Sequence, residues 1–129
     1  MAKVLLIEDE ANVRTLTEMQ RKHLGYEVLL ADNGWKGLAL YRQSHPAVIV
    51  LDLTLPGMNG IEVLKQIRSV DLRQSVIVVT GDDAPKTERE VRALGVSEFI
   101  VKGASVYSLG DALRRLLKDL APVIYPRAS

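Results

Sequence analysis

The sequence predicts an α/β protein in which one five-stranded parallel sheet carries helices on both faces, a doubly wound fold. Short apolar runs alternate with helical patterns from end to end, which is typical of successive βα units. The run Val48–Leu51 has no polar break, as expected for a strand buried on both faces. The 129 residues, 47% of them hydrophobic and 26% charged, fit one globular domain.

The first two strands are predicted at Lys3–Ile7 and Tyr26–Ala31. The second is shorter in pattern and more polar, so we expect it nearer an edge of the sheet. Between them, Ala11–Leu24 has apolar residues at helical spacing, and Gly25 fits a C-cap because glycine adopts the left-handed conformation without steric penalty.

The second helix is predicted at about Trp35–Ser44, after the turn signal Asp32-Asn33-Gly34. It contains Gly37, which costs roughly 1 kcal/mol relative to alanine in a helix interior. We therefore expect close packing against the sheet at this glycine. Trp35 is expected to be exposed, either as an ordinary surface residue or as a partner contact.

Three helices and two strands complete the alternation. In chain order these are a helix after Gly60, a strand at Val76–Thr80, a helix from Pro85 to about Leu94, a strand at Phe99–Val101, and a helix with an apolar stripe from Leu109 to Leu120. The helical pattern ends at Pro122. We expect residues 1–121 to form the domain and residues 122–129 to be a C-terminal tail or a linker stub.

Composition excludes several classes of function. A net charge of +1 gives no field that would favour direct binding to nucleic acid or to an anionic membrane. The absence of cysteine rules out disulfides, thiolate metal sites and a cysteine nucleophile, and it fits a cytoplasmic location. The apolar run Val4–Ile7 is too short for a signal peptide or a membrane span.

Polar side chains follow four of the predicted strands at their carboxyl ends. Glu8 and Asp9 follow the first strand, and Asp52 follows the third. Thr80 ends the fourth strand, and Lys102 follows the fifth. Ligands of open parallel sheets bind in the crevice at this edge. If these strands are neighbours, three carboxylates, one hydroxyl and one ammonium group meet there.

This set of groups suits phosphoryl transfer onto an aspartate. Carboxylate oxygens prefer a hard divalent ion, and a partly filled set that keeps waters suits Mg²⁺. Lys102 adds a point charge for an anionic substrate group, and Thr80 adds a hydrogen-bond donor. Asp52 is the candidate nucleophile because it stands alone after a buried strand.

Each residue also has a simpler interpretation. Acidic residues such as Glu8 and Asp9 are favourable at a helix N-terminus. Asp52 could cap the turn that follows it, and Lys102 could be an ordinary solvated lysine. The convergence of all the groups favours the phosphoryl-transfer hypothesis.

The chain resembles the receiver domain of two-component response regulators over about residues 3–120. The matching segments, in the family's order and spacing, are Leu6–Glu10, Leu51–Gly60, Val79–Gly81 and Phe99–Lys102. The resemblance implies the flavodoxin-like strand order 2-1-3-4-5 with five helices. It also implies a phosphorylated signal-transduction protein rather than an enzyme, because such a domain catalyses only its own phosphorylation and dephosphorylation.

The resemblance also implies the roles of the acidic residues. Asp52 would accept a phosphoryl group from a phosphohistidine of a sensor histidine kinase or a histidine phosphotransfer protein. Glu8 and Asp9 would hold Mg²⁺, with Asp52 and the main-chain carbonyl of Thr54 completing the protein ligands.

The family's switch implies a second set of roles. Phosphorylation would draw the Thr80 hydroxyl inward and let Phe99 turn from an exposed to a buried rotamer, while Lys102 contacts the phosphoryl group. The face made by the fourth helix, the fifth strand and the fifth helix would then change its affinity for a partner, an output domain or a second copy of the chain. Thr54 and Asp82 occupy positions that tune dephosphorylation in this family.

One departure from the family pattern supports an alternative function. Lys102 is followed by Gly103, where the family usually has a proline in a cis peptide bond, and a non-proline cis bond costs roughly 2.5–4 kcal/mol. We expect a trans bond, with weaker phosphate coordination or a more mobile loop. A degenerate receiver that binds proteins without phosphate is therefore the alternative. The complete acidic set and Thr80 argue against it. The lack of a glycine-rich motif after the first strand disfavours a third hypothesis, a nucleotide- or flavin-binding enzyme.

Overall fold

Five strands and four helices are present in the computed structural model, which describes residues 2–9, 25–103 and 107–120. The strands are β1 (Lys3–Ile7), β2 (Glu27–Ala31), β3 (Val48–Leu51), β4 (Ser75–Thr80) and β5 (Glu98–Val101). The helices are α1 (Gly34–Ser44), α2 (Gly60–Val70), α3 (Pro85–Ala93) and α4 (Tyr107–Leu120). The helix predicted at Ala11–Leu24 lies outside the described residues.

The strands form one parallel sheet in the order β2-β1-β3-β4-β5, as the resemblance implied. β2 lies at one edge and is the least buried strand, which confirms the expectation from its more polar pattern. The central strand β3 is buried along its whole length. No described helix has the length and hydropathy needed to cross a bilayer.

Successive strand residues enter two separate hydrophobic clusters because their side chains point to opposite faces of the sheet. On β1, Leu5 and Ile7 join the cluster that includes residues of α1, α2 and α3. Val4 and Leu6 join the cluster on the other face, which contains the apolar stripe of α4. The sheet is therefore covered on both sides, which explains why its strands are apolar without alternation.

The packing of α1 against the sheet confirms the prediction made for Gly37. A Cβ built on this residue would lie 2.5 Å from Cδ1 and 2.8 Å from Cγ1 of Ile7. The helix begins after Asn33, whose side-chain oxygen accepts a hydrogen bond of 2.9 Å from the Lys36 amide. It ends at His45, a non-glycine residue in the left-handed region with φ of 48°.

Contacts at the amino-terminal side of the sheet tie three helices together. Arg68 of α2 donates to the carbonyl oxygens of Leu94 at 2.6 Å and Gly95 at 3.0 Å, just beyond α3. The Tyr41 hydroxyl of α1 lies 3.4 Å from Oδ2 of Asp71, which follows α2. Burial, followed by the nearby Asp71 carboxylate, raises the pKa of Tyr41 above its ordinary value.

Candidate functional site

The strand register places Glu8 and Asp52 beside each other at the carboxyl edge of the sheet. Ile7, the last residue of β1, pairs with Leu51 of β3 on one side and Ala31 of β2 on the other. Hydrogen bonding continues one residue further, because the Asp52 amide donates to the Ile7 carbonyl at 3.0 Å. The two acidic residues therefore occupy the first positions beyond neighbouring strands.

The structure brings together the three carboxylates that the sequence predicted to converge. Carboxylate oxygens of Glu8, Asp9 and Asp52 all lie within 4.8 Å of one another. Glu8 is 0% exposed and Asp52 is 1% exposed, whereas Asp9 faces solvent. Buried carboxylates at this separation repel each other, so a nearby cation stabilises the set.

Lys102 supplies a cation to both buried acids. Its Nζ donates to Oδ2 of Asp52 at 3.0 Å and to Oε1 of Glu8 at 3.4 Å. The Lys102 side chain is 18% exposed, so the hypothesis of an ordinary solvated lysine is wrong. Its main-chain amide donates to the Thr80 carbonyl at 2.7 Å, which fixes the backbone at the end of β5.

The departure from the family pattern at Gly103 leaves Lys102 in the site. The peptide bond between these residues is trans, as predicted from the cost of a non-proline cis bond. Gly103 has a φ of 92°, a conformation that glycine adopts without a Cβ clash. With this trans link, the Lys102 ammonium still reaches Asp52.

Asp52 is held by the loop that follows it. Its Oδ1 accepts a hydrogen bond of 3.0 Å from the Thr54 amide, while Oδ2 accepts from Lys102. Both carboxylate oxygens therefore have fixed directions. Thr54 itself is exposed, and its amide is the group that contacts Asp52.

Gly60 is a positioning residue of this loop that was not predicted from the sequence. A Cβ at this residue would overlap with the Asp52 carbonyl oxygen and would lie 2.5 Å from Cα of Leu53. The Gly60 amide donates to the Leu53 carbonyl at 2.8 Å. A glycine directly after the helix-capping residue Asn59 was the sequence signal available for this close approach.

Thr80 connects the site to the start of α3. The residue is 0% exposed, and its Oγ1 accepts a hydrogen bond of 3.2 Å from the Asp82 amide. The Asp82 carboxylate in turn accepts from the Ala84 amide at 2.9 Å and from the Thr87 hydroxyl at 3.0 Å. A movement of the Thr80 hydroxyl would therefore reach the first turn of α3 through Asp82.

Phe99 has the buried orientation of the two that the resemblance implied. The residue is 8% exposed and belongs to the hydrophobic cluster that includes Val91 of α3. The Arg92 guanidinium carbon lies 5.9 Å from the ring centroid, within the range of a cation–π contact. The aromatic residue therefore contacts α3 from the strand next to Thr80.

The donor set fits a hard divalent cation. The candidate ligands are oxygen atoms, one carboxylate is exposed, and no histidine lies among them. This composition suits Mg²⁺ because that ion prefers carboxylates and retains several waters. A lysine beside the carboxylates adds a second positive charge for an anion bound at the same place.

Comparison with known proteins agrees with this geometry. A model of the response regulator receiver domain family matches residues 4–114. The sporulation initiation phosphotransferase F of Bacillus subtilis (strain 168) is 29% identical over 115 residues, covering 89% of this chain and 93% of that protein. The regulatory protein AtoC of Escherichia coli (strain K12) is 31% identical over 116 residues, which are 90% of this chain but 25% of that protein.

A solved structure is also similar to this chain in both fold and sequence. The chemotaxis protein CheY4 of Vibrio cholerae superposes with a TM-score of 0.79 at 30% identity, covering 90% of this chain and 98% of that one. The chain spans about half or less of the length of several curated relatives. The match over residues 4–114, together with the strand order, shows that this chain belongs to the response regulator receiver domain family.

Proposed function

We propose that this chain is a phosphorylation-controlled switch in which Asp52 accepts a phosphoryl group from a phosphohistidine donor. The observation that carries the proposal is the placement of Lys102 Nζ 3.0 Å from Asp52 Oδ2, beside two further carboxylates. A carboxylate oxygen of Asp52 would attack phosphorus as the bond from phosphorus to the imidazole nitrogen breaks. The electron pair of that bond would return to the imidazole.

Glu8, Asp9, Asp52 and the main-chain carbonyl of Thr54 are the proposed protein ligands of Mg²⁺. When bound, the ion would neutralise the acidic residues and the charge that develops on the phosphoryl oxygens. Lys102 would contribute a second positive charge beside Asp52. The Thr54 amide, which already orients Oδ1 of Asp52, would keep the nucleophile in one rotamer.

The signal would leave the site through Thr80 and Phe99. Drawing the Thr80 hydroxyl toward a phosphoryl group would remove the acceptor of the Asp82 amide and so loosen the start of α3. The space left by the hydroxyl would favour the buried rotamer of Phe99, which this structure already shows, over an exposed one, and the packing of α3 would change with it. Thr54 and Asp82 are the residues proposed to tune dephosphorylation.

The proposed output surface is formed by α3, β5 and α4. A cleft of about 350 Å³ lies between β5 and α4 and is lined in part by Phe99, Ser108 and Arg115. A partner or a second copy of the chain on this face would therefore contact the residue that responds to Thr80.

The names of the relatives support two roles for such a switch, either as a separate component of a phosphorelay or as one domain of a longer regulator. A phosphotransferase of nearly the same length supports a place in a phosphorelay, with a sensor histidine kinase or a histidine phosphotransfer protein as donor. Longer relatives named as regulators support an attached output domain. We propose residues 1–121 as the receiver domain, residues 122–129 as a tail or linker, and a cytoplasmic location.

Phosphorylation by a small donor tests the proposal. Incubation with acetyl phosphate and Mg²⁺ should add about 80 Da to the intact mass, and chelation of Mg²⁺ should prevent the gain. The Asp52→Asn variant should show no gain. A wild-type mass that stays unchanged, with Mg²⁺ present and the protein folded, would favour the degenerate receiver that binds its partner without phosphate.

A further inference from the structure

Trp35 is the single tryptophan of the chain and is 59% exposed. Its indole nevertheless packs on the loop that follows Asp52. Gly57 in that loop has a φ of 82°, and a Cβ there would overlap with Cζ3 and Cη2 of the indole. The ring therefore lies directly on the glycine backbone. We call residues 53–59 the acceptor loop, because they connect Asp52 to α2.

The preceding residue of α1 makes a second contact with the same loop. A Cβ built on Gly34 would lie 3.2 Å from both Cβ and Sδ of Met58. Two consecutive residues of α1 thus contact two consecutive residues of the acceptor loop. The contact is more extensive than a single surface side chain resting on its neighbour.

The first turn of α1 is a rigid support for this contact. Asn33 caps the helix, and Gly37 fixes it against Ile7 at the end of β1. On its other side, the acceptor loop is held by the close approach of Gly60 to the Asp52 backbone. The loop is therefore held between α1 and the carboxyl edge of β3.

We infer that Trp35 is a positioning residue for the metal site, which it affects by restraining the acceptor loop that carries Thr54. The inference rests on the proposed function, because Thr54 provides a main-chain ligand there. Without the indole, the loop loses its outer contact, and the Thr54 carbonyl samples positions away from the carboxylates. Residues that orient metal ligands in this indirect way affect metal affinity without touching the ion.

Two measurements on the Trp35→Ala variant test the inference. In the metal-free protein, the Met58 amide, which donates to the Pro56 carbonyl at 3.1 Å, should exchange its hydrogen faster than in the wild type. In calorimetric titrations, Mg²⁺ should bind roughly tenfold more weakly, at the lower end of the range for residues that orient ligands. Trp35→Phe, which keeps a ring on Gly57, should restore most of both properties.

Leu72→Ala is the matched control, because Leu72 is 82% exposed and lies beyond α2 at the opposite edge of the sheet. It should leave Met58 exchange and Mg²⁺ affinity unchanged. Unchanged Mg²⁺ affinity in Trp35→Ala would overturn the inference, even if Met58 exchange increases, because the contact would then be structural only. A wild-type protein that binds no Mg²⁺ would refute the proposed metal site, and the positioning role with it.

Discussion

Lys102 Nζ lies 3.0 Å from Asp52 Oδ2, a contact between residues that are fifty positions apart in the chain. The parallel sheet creates this contact because β3 and β5 end at the same edge, with β4 between them. The lysine also reaches Glu8, so one ammonium group is shared by two buried carboxylates and offsets part of their negative charge. The acidic site is therefore organised around a positive charge that the chain itself supplies.

Replacing this cation should destabilise the metal-free protein. In Lys102→Met, two buried carboxylates lose the ammonium group that they share. The free energy of unfolding should therefore fall by about 2–3 kcal/mol, which is below the range for fully buried pairs because Lys102 is partly exposed. Excess Mg²⁺ should reduce the difference, since it supplies positive charge to the same acids. Urea unfolding with and without Mg²⁺ measures both effects.

Lys65→Met is the control for the loss of a lysine. Lys65 forms an exposed ion pair of 3.7 Å with Glu90, and such pairs contribute at most about 1 kcal/mol. A Lys102→Met protein as stable as the wild type without Mg²⁺ would mean that the acids do not depend on the lysine.

Gly60→Ala should damage both the fold and the site. The added Cβ would overlap with the Asp52 carbonyl, and because the obstacle is backbone rather than a flexible side chain, we expect a loss of about 2–3 kcal/mol, the upper part of the range for overpacking. The shift of Asp52 should also weaken Mg²⁺ binding. Gly81→Ala, at a loop glycine where an added Cβ would meet no atom within 4 Å, should be nearly neutral in the same unfolding experiment.

His45→Gly should stabilise the protein. His45 ends α1 with a φ of 48°, where a Cβ is unfavourable. Glycine removes this strain but also makes the unfolded chain more flexible, which opposes part of the gain. We therefore expect the free energy of unfolding to rise by about 0.5–1 kcal/mol. Thermal unfolding measures the change. His45→Ala keeps the Cβ and should have little effect, and equal stabilities of the glycine and alanine variants would contradict the explanation.

Tyr41 should make stability fall at alkaline pH. Burial and Asp71 raise its pKa in the folded protein above the ordinary value of 10.0, so the folded state binds the phenolic proton more tightly than the unfolded state. This contribution is complete below pH 10.0 and is lost as pH rises through the higher, folded-state pKa. Above pH 10.0, the free energy of unfolding of the wild type should therefore fall relative to that of Tyr41→Phe. Denaturation curves across this range that stay parallel for the two proteins would contradict the effect.

The strands could be predicted from sequence to within one residue because apolar runs follow burial. The remaining errors have a physical reason. Ser75 and Glu98 pair in the ladder through their backbones although their side chains are polar, so the apolar pattern starts one residue late. Tyr26 is buried but precedes β2, which begins at Glu27. Because burial and aromatic character are typical of strands, the predicted strand began one residue too early.

The convergence of the acids with Lys102 was also predictable, since parallel strands bring their carboxyl ends to one edge. The contacts of Trp35 with Gly57 and of Gly60 with Asp52 were not, because they depend on the path of the acceptor loop in space. The same is true of the contacts of Arg68 with the carbonyls of Leu94 and Gly95, which lie 26 and 27 residues away. Local patterns carry no information on such contacts.

The decisive test of the proposed site is a crystal structure of the protein with Mg²⁺ and beryllofluoride. We expect a beryllofluoride group on the Asp52 carboxylate, contacted by Lys102, with Mg²⁺ bound by Glu8, Asp9, Asp52 and the Thr54 carbonyl. An empty cleft, with the three carboxylates turned away from one another, would refute the phosphorylation switch proposed for this chain.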